Sequence, residues 1–149
     1  MTEYTLKTSR TEETEKAGYE LARLVKSEGA LNFIAMYGDL GAGKTAFTRG
    51  VAEYVAPGAA VTSPTYSIVN EYTPEGGKRP TLFHFDMYRI SDEDGLDSID
   101  FDNYFTRGAL IITEWSENIG FALPEHYVKV VIDKISDTER LISIKEIGG

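Results

Sequence analysis

The stretch Gly38-Asp39-Leu40-Gly41-Ala42-Gly43-Lys44-Thr45 in this 149-residue chain fits the pattern G-x-x-x-x-G-K-[ST], a loop that closes around the phosphates of a nucleotide. Each residue type has a part in that chemistry. Gly38, Gly41 and Gly43 can take positive φ. Without a Cβ they let successive N–H groups converge on phosphate oxygens at a helix N-terminus, where the dipole favours anions. Asp39, Leu40, Gly41, Ala42 and Gly43 are therefore expected to line a nucleotide through their backbone. Lys44 brings a mobile positive charge for the β and γ phosphates, and Thr45 a hydroxyl for a Mg²⁺ that keeps most of its waters. The plain alternative is a glycine turn before a helix with Lys44 in solvent.

Such a loop needs a strand before it and a helix after it. Residues 31–37, Leu-Asn-Phe-Ile-Ala-Met-Tyr, are an apolar run of strand length, and residues 45–55 read as a helix closed by Ala56-Pro57-Gly58. The loop also needs a carboxylate to hold the metal's water shell, at the end of a buried strand beside the loop's own strand. Asp86 ends Leu82-Phe83-His84-Phe85, and Glu114 ends the run Ala109-Leu110-Ile111-Ile112-Thr113. The second run is apolar almost throughout, as an interior parallel strand should be, whereas the first belongs to an expected hairpin at the periphery of the sheet. The metal is accordingly assigned to Glu114 with Thr45, and Asp86 is placed near the γ phosphate with a water. Spacing alone also allows the two roles to be exchanged, or either acid to cap a following helix.

The remaining elements complete an α/β chain. Residues 4–7 form a short strand. Ser9-Arg10-Thr11-Glu12 has capping-box spacing ahead of a helix in which Ala17, Leu21, Leu24 and Val25 share a face, ending near Gly29. Residues 66–72 and 81–85 make an antiparallel hairpin with a long loop, residues 91–105 a short acidic helical region, and residues 127–134 and 140–147 the last two strands. The expected fold is a P-loop NTPase-like three-layer α/β/α sandwich with a mixed, partly antiparallel sheet, in one domain spanning residues 1–149. Val61-Thr62-Ser63-Pro64-Thr65-Tyr66 reads either as a switch that senses the γ phosphate or as a polar connector. His84 reads as a hydrogen-bonded histidine on a strand face, Trp115 as packing on the nucleotide or on a helix, and Arg89 as an electrostatic finger or a surface ion-pair partner.

Composition narrows the partners. With 24 acidic against 15 basic residues the net charge is -9, unsuited to gripping a polyphosphate backbone alone. No window approaches the roughly 20 apolar residues of a membrane span, residues 1–10 lack a signal-peptide pattern, and there is no cysteine, so a cytoplasmic protein is expected.

Taken together, the glycine loop with Phe47-Thr48-Arg49-Gly50, then Ser63-Pro64-Thr65-Tyr66, His84-Phe85-Asp86-Met87-Tyr88-Arg89 and Glu114-Trp115-Ser116-Glu117 resemble the TsaE (YjeE) family of bacterial tRNA threonylcarbamoyladenosine biosynthesis ATPases. The resemblance implies slow ATP hydrolysis with Mg²⁺, in company with TsaD and TsaB, which install threonylcarbamoyl on the adenosine beside the anticodon of tRNAs reading ANN codons. tRNA would then be met through the complex. By that likeness Glu114 ligates Mg²⁺, Asp86 is the catalytic carboxylate alongside Lys44, and the nucleotide lies near Thr11 and near Thr138 and Arg140. One departure is Ala46, where many members carry a second threonine. The acidic stretch Asp92 to Phe105 fits the family pattern only weakly.

A small P-loop kinase would use the same loop but needs lid arginines around the transferred group, for which Arg79, Arg89 and Arg107 are the candidates. A regulatory GTPase would carry Asn-Lys-x-Asp, and the chain has none.

Overall fold

The computed structural model describes residues 3–29, 31–39, 42–61 and 68–148. Along these residues run β1 (Glu3–Thr8), α1 (Thr11–Glu28), β2 (Phe33–Tyr37), α2 (Lys44–Val55), β3 (Val69–Tyr72) and β4 (Leu82–Asp86). There follow α3 (Glu93–Ser98), α4 (Phe101–Tyr104), β5 (Leu110–Glu114), a 3-10 segment at Ser116–Ala122, β6 (Tyr127–Lys134) and β7 (Arg140–Ile147). The strands form one mixed sheet in the order β1-β7-β6-β2-β5-β4-β3. β6, β2, β5 and β4 are mutually parallel, and β3, β7 and β1 join the flanks antiparallel.

Alternate residues of the central strands feed two separate cores, as the period of two requires. On one face Ile34, Met36, Ile112, Val130 and Ile144 meet Leu21 and Val25 of α1 and Phe47 and Val51 of α2. On the other, Phe33, Ala35, Phe83, Phe85 and Ile111 pack with Leu96, Phe101 and Ile119. Strands covered on both sides read as unbroken apolar runs, which is why β2 and β5 were recognisable in the sequence. The result is a three-layer α/β/α sandwich.

The two helices on the first face touch backbone to backbone. A Cβ at Gly18 would overlap the carbonyl of Phe47, and one at Gly50 the carbonyl of Glu15. This close approach fixes where the first turn of α2 stands relative to α1.

Three expectations need correction. The antiparallel hairpin of β3 and β4 does lie at one edge of the sheet, but β4 itself is interior, flanked by β5 and β3. His84, the polar residue in its run, is fully buried and hydrogen-bonded on its strand face, as expected. At the start of α1 the spacing is one residue longer than a capping box. Arg10 occupies the cap, and Glu13, not Glu12, accepts from the Ser9 N–H (2.6 Å) and hydroxyl (3.0 Å). On α1 Ala22 joins Ala17, Leu21 and Val25 in the core, whereas Leu24 is only half-buried.

Candidate nucleotide site

The glycine loop leaves β2 at its C-terminal end. Tyr37, the last residue of that strand, stays a neutral phenol: burial first, then the neighbouring Tyr127 and Glu117, push its pKa up to about 12. Gly38 has φ +142, and a Cβ there would overlap the Ile132 carbonyl oxygen of β6, so only glycine fits between the two strands. The Ala42 N–H donates to the Asp39 carbonyl (3.1 Å). Gly43, at φ +102, turns the chain into α2, where its carbonyl accepts from the Phe47 N–H (3.0 Å). Leu40 and Gly41 lie outside the described residues. Arg140 reaches across from β7 and donates to the carbonyls of Ala42 (3.0 Å), Ser136 (2.8 Å) and Glu139 (3.0 Å), tying the loop to the turn between β6 and β7.

Lys44 opens α2 and is 5% exposed. Its ammonium donates to the Gly38 carbonyl (2.7 Å) and lies 5.3 Å from the centre of the Trp115 ring; among the described residues it pairs with no carboxylate. Thr45 follows, half-buried in the first turn.

Both acids converge on this corner. The β4–β5 register sets Asp86 directly beside Glu114 at the C-terminal ends of two parallel strands, and β5 adjoins β2. Both share a strand face with Ile112, which packs under α1 and α2, so the carboxylates stand on the side where α2 begins. Glu114 is 8% exposed, and its Oε2 lies 2.5 Å from His84 Nε2. Asp86 accepts from the Tyr88 N–H (2.9 Å), an Asx turn that bends the chain away from the sheet. Neither acid caps a helix: Asp92 caps α3 by accepting from Gly95, and Trp115 precedes the 3-10 segment.

The residues after Glu114 hold the two strand ends together. Trp115 sits in the left-handed region (φ 58, ψ 42), costly for a bulky side chain, with its ring 5.0 Å from that of Tyr88. Ser116 donates to the Met36 carbonyl of β2 (3.0 Å) and shares a hydrogen bond with Thr113 (2.7 Å). The Asn118 amide donates to the Met87 carbonyl (2.9 Å), and the Met87 N–H to the Glu114 carbonyl (3.0 Å). Sequence reasoning missed Ser116, Asn118 and the partner of His84. The signal available was two hydrogen-bonding residues immediately after a strand-end acid.

A cleft of about 330 Å³ adjoins the loop, lined by Thr11 and Thr14 of α1, Gly43, Ala46, and Thr138 and Arg140. Thr11, Thr138 and Arg140, far apart in sequence, thus border the same space as the glycine loop. Ala46 lines it too, at the position where the family resemblance implies a hydroxyl elsewhere. Arg89 is exposed past the end of β4. Arg79 and Arg107 precede the N-terminal ends of β4 and β5, and Arg107 pairs with Glu71 (3.2 Å) over the Phe83 ring. Residues 62–67, which carry most of the suggested switch, lie outside the described residues.

The family model for TsaE, threonylcarbamoyl adenosine biosynthesis protein, matches residues 8–142. The chain belongs to the TsaE family. It is 38% identical over 115 residues to the tRNA threonylcarbamoyladenosine biosynthesis protein TsaE of Bacillus subtilis, a match covering 77% of this chain and 70% of that protein. With the Haemophilus influenzae TsaE it shares 37% identity over 108 residues, 72% of this chain and 66% of the relative. The crystal structure of Bacillus subtilis YdiB superposes with a TM-score of 0.70 at 32% identity, covering 100% of this chain and 88% of that one. The neighbour agrees with a P-loop NTPase-like fold, and the family and relatives with a role in threonylcarbamoyladenosine biosynthesis.

Proposed function

We propose that this chain is the Mg²⁺-dependent ATPase of the tRNA threonylcarbamoyladenosine machinery, slow by itself and acting in the cytoplasm with TsaD and TsaB, through which it meets tRNA. The observation that carries the reading is the register of Asp86 beside Glu114, at strand ends next to the strand that feeds Lys44.

The donor set suits the proposed metal. Mg²⁺ is held through one or two carboxylates together with phosphate oxygens and water, not by a cage of protein ligands. Here two carboxylates stand side by side at strand ends next to the strand that leads to Thr45, and among the described residues no group of three or more His, Cys, Asp or Glu converges. Glu114 and Thr45 would hold the ion, which when bound neutralises charge on the phosphate oxygens. Lys44 supplies positive charge to the phosphates from a partly desolvated position, where electrostatics are stronger than in water. Asp86 orients a water and accepts its proton. Thr11, Thr138 and Arg140 border the rest of the nucleotide.

Placement weighs against the kinase alternative for two of its three candidate lid arginines; the third, Arg89, is exposed just past the end of β4, on the side of the acids. Arg79 and Arg107 stand at the opposite ends of β4 and β5 from the two acids, separated by about 13 Å at 3.3 Å per residue. Phosphate release from ATP, measured with and without Mg²⁺ and with and without TsaD and TsaB, tests the reading. Metal-dependent release raised by the partners is expected; phosphoryl transfer to a small acceptor without release would overturn it.

A further inference from the structure

His84 is a fully buried titratable residue that the proposed reaction does not use. It lies in the middle of β4, one turn of the pleat before Asp86, and its Nε2 meets Glu114 Oε2 at 2.5 Å. An ionised carboxylate can only accept, so Nε2–H donates. The other ring nitrogen, Nδ1, is buried and has no hydrogen-bond partner among the described residues. A histidine kept in a core merely for packing is normally satisfied at both nitrogens, or replaced by an apolar residue of similar size, because an unpartnered buried polar atom is costly. Here the imbalance is tolerated on one side of the ring while the other side makes a charge-assisted bond to one acid of the site.

We propose that His84 is a positioning residue: it holds Oε2 of Glu114 so that Oε1 is aimed toward the mouth of the site. The proposal rests on the reading of Glu114 as the acid that holds Mg²⁺. The geometry supports it in two ways. Glu114 ends a strand buried on every residue, and among the described residues His84 is the side chain that hydrogen-bonds its carboxylate. The partner also comes from the strand that carries Asp86, so one β4 segment sets the orientation of one acid and the position of the other. Ligand-orienting partners of this kind are worth about 10- to 100-fold in metal affinity.

The test compares His84→Gln, whose amide nitrogen reaches about as far as Nε2, with His84→Asn, which carries the same group one methylene shorter. His84→Leu, which has no donor, serves as a second variant should His84→Asn not fold. Mn²⁺ is titrated by the loss of its free-ion paramagnetic resonance signal, with ADP saturating, and ADP affinity is measured separately in chelator. Expected is a rise of about 10-fold or more in the Mn²⁺ half-saturation for the Asn and Leu variants, recovery to within about 3-fold for Gln, and unchanged metal-free ADP affinity. A structural role alone would move both affinities together, and that outcome overturns the proposal, as does wild-type Mn²⁺ binding by the Asn and Leu variants. Glu114→Gln is run beside them. If it weakens Mn²⁺ while His84→Asn does not, only the positioning role fails; if it leaves the titration unchanged, the metal role of Glu114 fails and this proposal with it.

Discussion

At the scale of single residues the site separates into one cation and two acids with different surroundings. Lys44 is almost enclosed, and its contacts are a carbonyl and an aromatic ring, neither of which neutralises it. An anion brought to the loop would therefore meet a charge that water screens poorly. Lys44→Ala should lower ATP turnover by about 100-fold or more, because, of the other cations described beside the loop's cleft, Arg140 has its guanidinium engaged with three backbone carbonyls and Arg10 is solvent-exposed at the cap of α1. Undiminished phosphate release would remove the assignment. The acids divide by environment: Glu114 is buried against His84, and Asp86 is half-exposed in a turn. Asp86→Asn should leave ATP binding near normal while lowering hydrolysis by about 100-fold. A loss of binding matching that of Lys44→Ala, read by calorimetry, would mean that the two carboxylates have exchanged roles. These three side chains were legible in the sequence because a glycine pattern and two strand-end acids are local signals. The His84 partnership was not, since its two members are thirty positions apart.

At the scale of elements, the site depends on how α1, α2 and the sheet are pressed together. Gly50→Ala would gain up to about 1 kcal/mol of helix propensity, but the new methyl would overlap a backbone carbonyl that no rotamer change can move. Overpacking outweighs propensity, and a net loss of about 2 kcal/mol is expected, seen as a lower thermal midpoint. The start of α1 is sensitive to acid. The Ser9 backbone N–H first, then its hydroxyl, hold the Glu13 carboxyl below its ordinary value of 4.5. Because the folded pKa is the lower one, the contribution is complete above about pH 4.5 and is lost as the pH falls through the folded value. Glu13→Gln should therefore melt slightly below the parent at pH 7, and the gap should narrow as the pH falls below about 4.5; a gap independent of pH would exclude the ionised contact. Periodicity and turn residues made most elements readable, including both final strands. The hairpin of β3 and β4 forms one edge of the sheet as expected, but that turn residues join two strands does not say which of them is the outer one; here β3 is, and β4 pairs on its other side with β5.

At the scale of the molecule, charge and topology set what the chain can meet. A net charge of -9 opposes a polyanion, and the basic residues described at the far end of β4 and β5 include Arg107, already paired with Glu71. The isolated chain should show no measurable retention of tRNA in a filter assay at near-physiological salt, where non-specific binding relies on unpaired cations. Tight salt-sensitive binding by this chain alone would contradict the division of labour proposed with TsaD and TsaB. Among the described residues no helix is long and apolar enough to cross a membrane.

What the sequence determined by itself was the set of local commitments: a loop whose glycines and lysine suit phosphates, apolar runs that must be covered on both faces, strand ends closed by acids, and an acidic surface. These are legible because they depend on residues adjacent in the chain. Only the tertiary structure decided that β4 and β5 lie side by side, that Asp86 consequently stands next to Glu114, and that Thr11, Thr138 and Arg140 border one cleft with Gly43. Strand order follows from the packing of two cores on opposite faces of a sheet, a collective property that spacing along the chain does not encode.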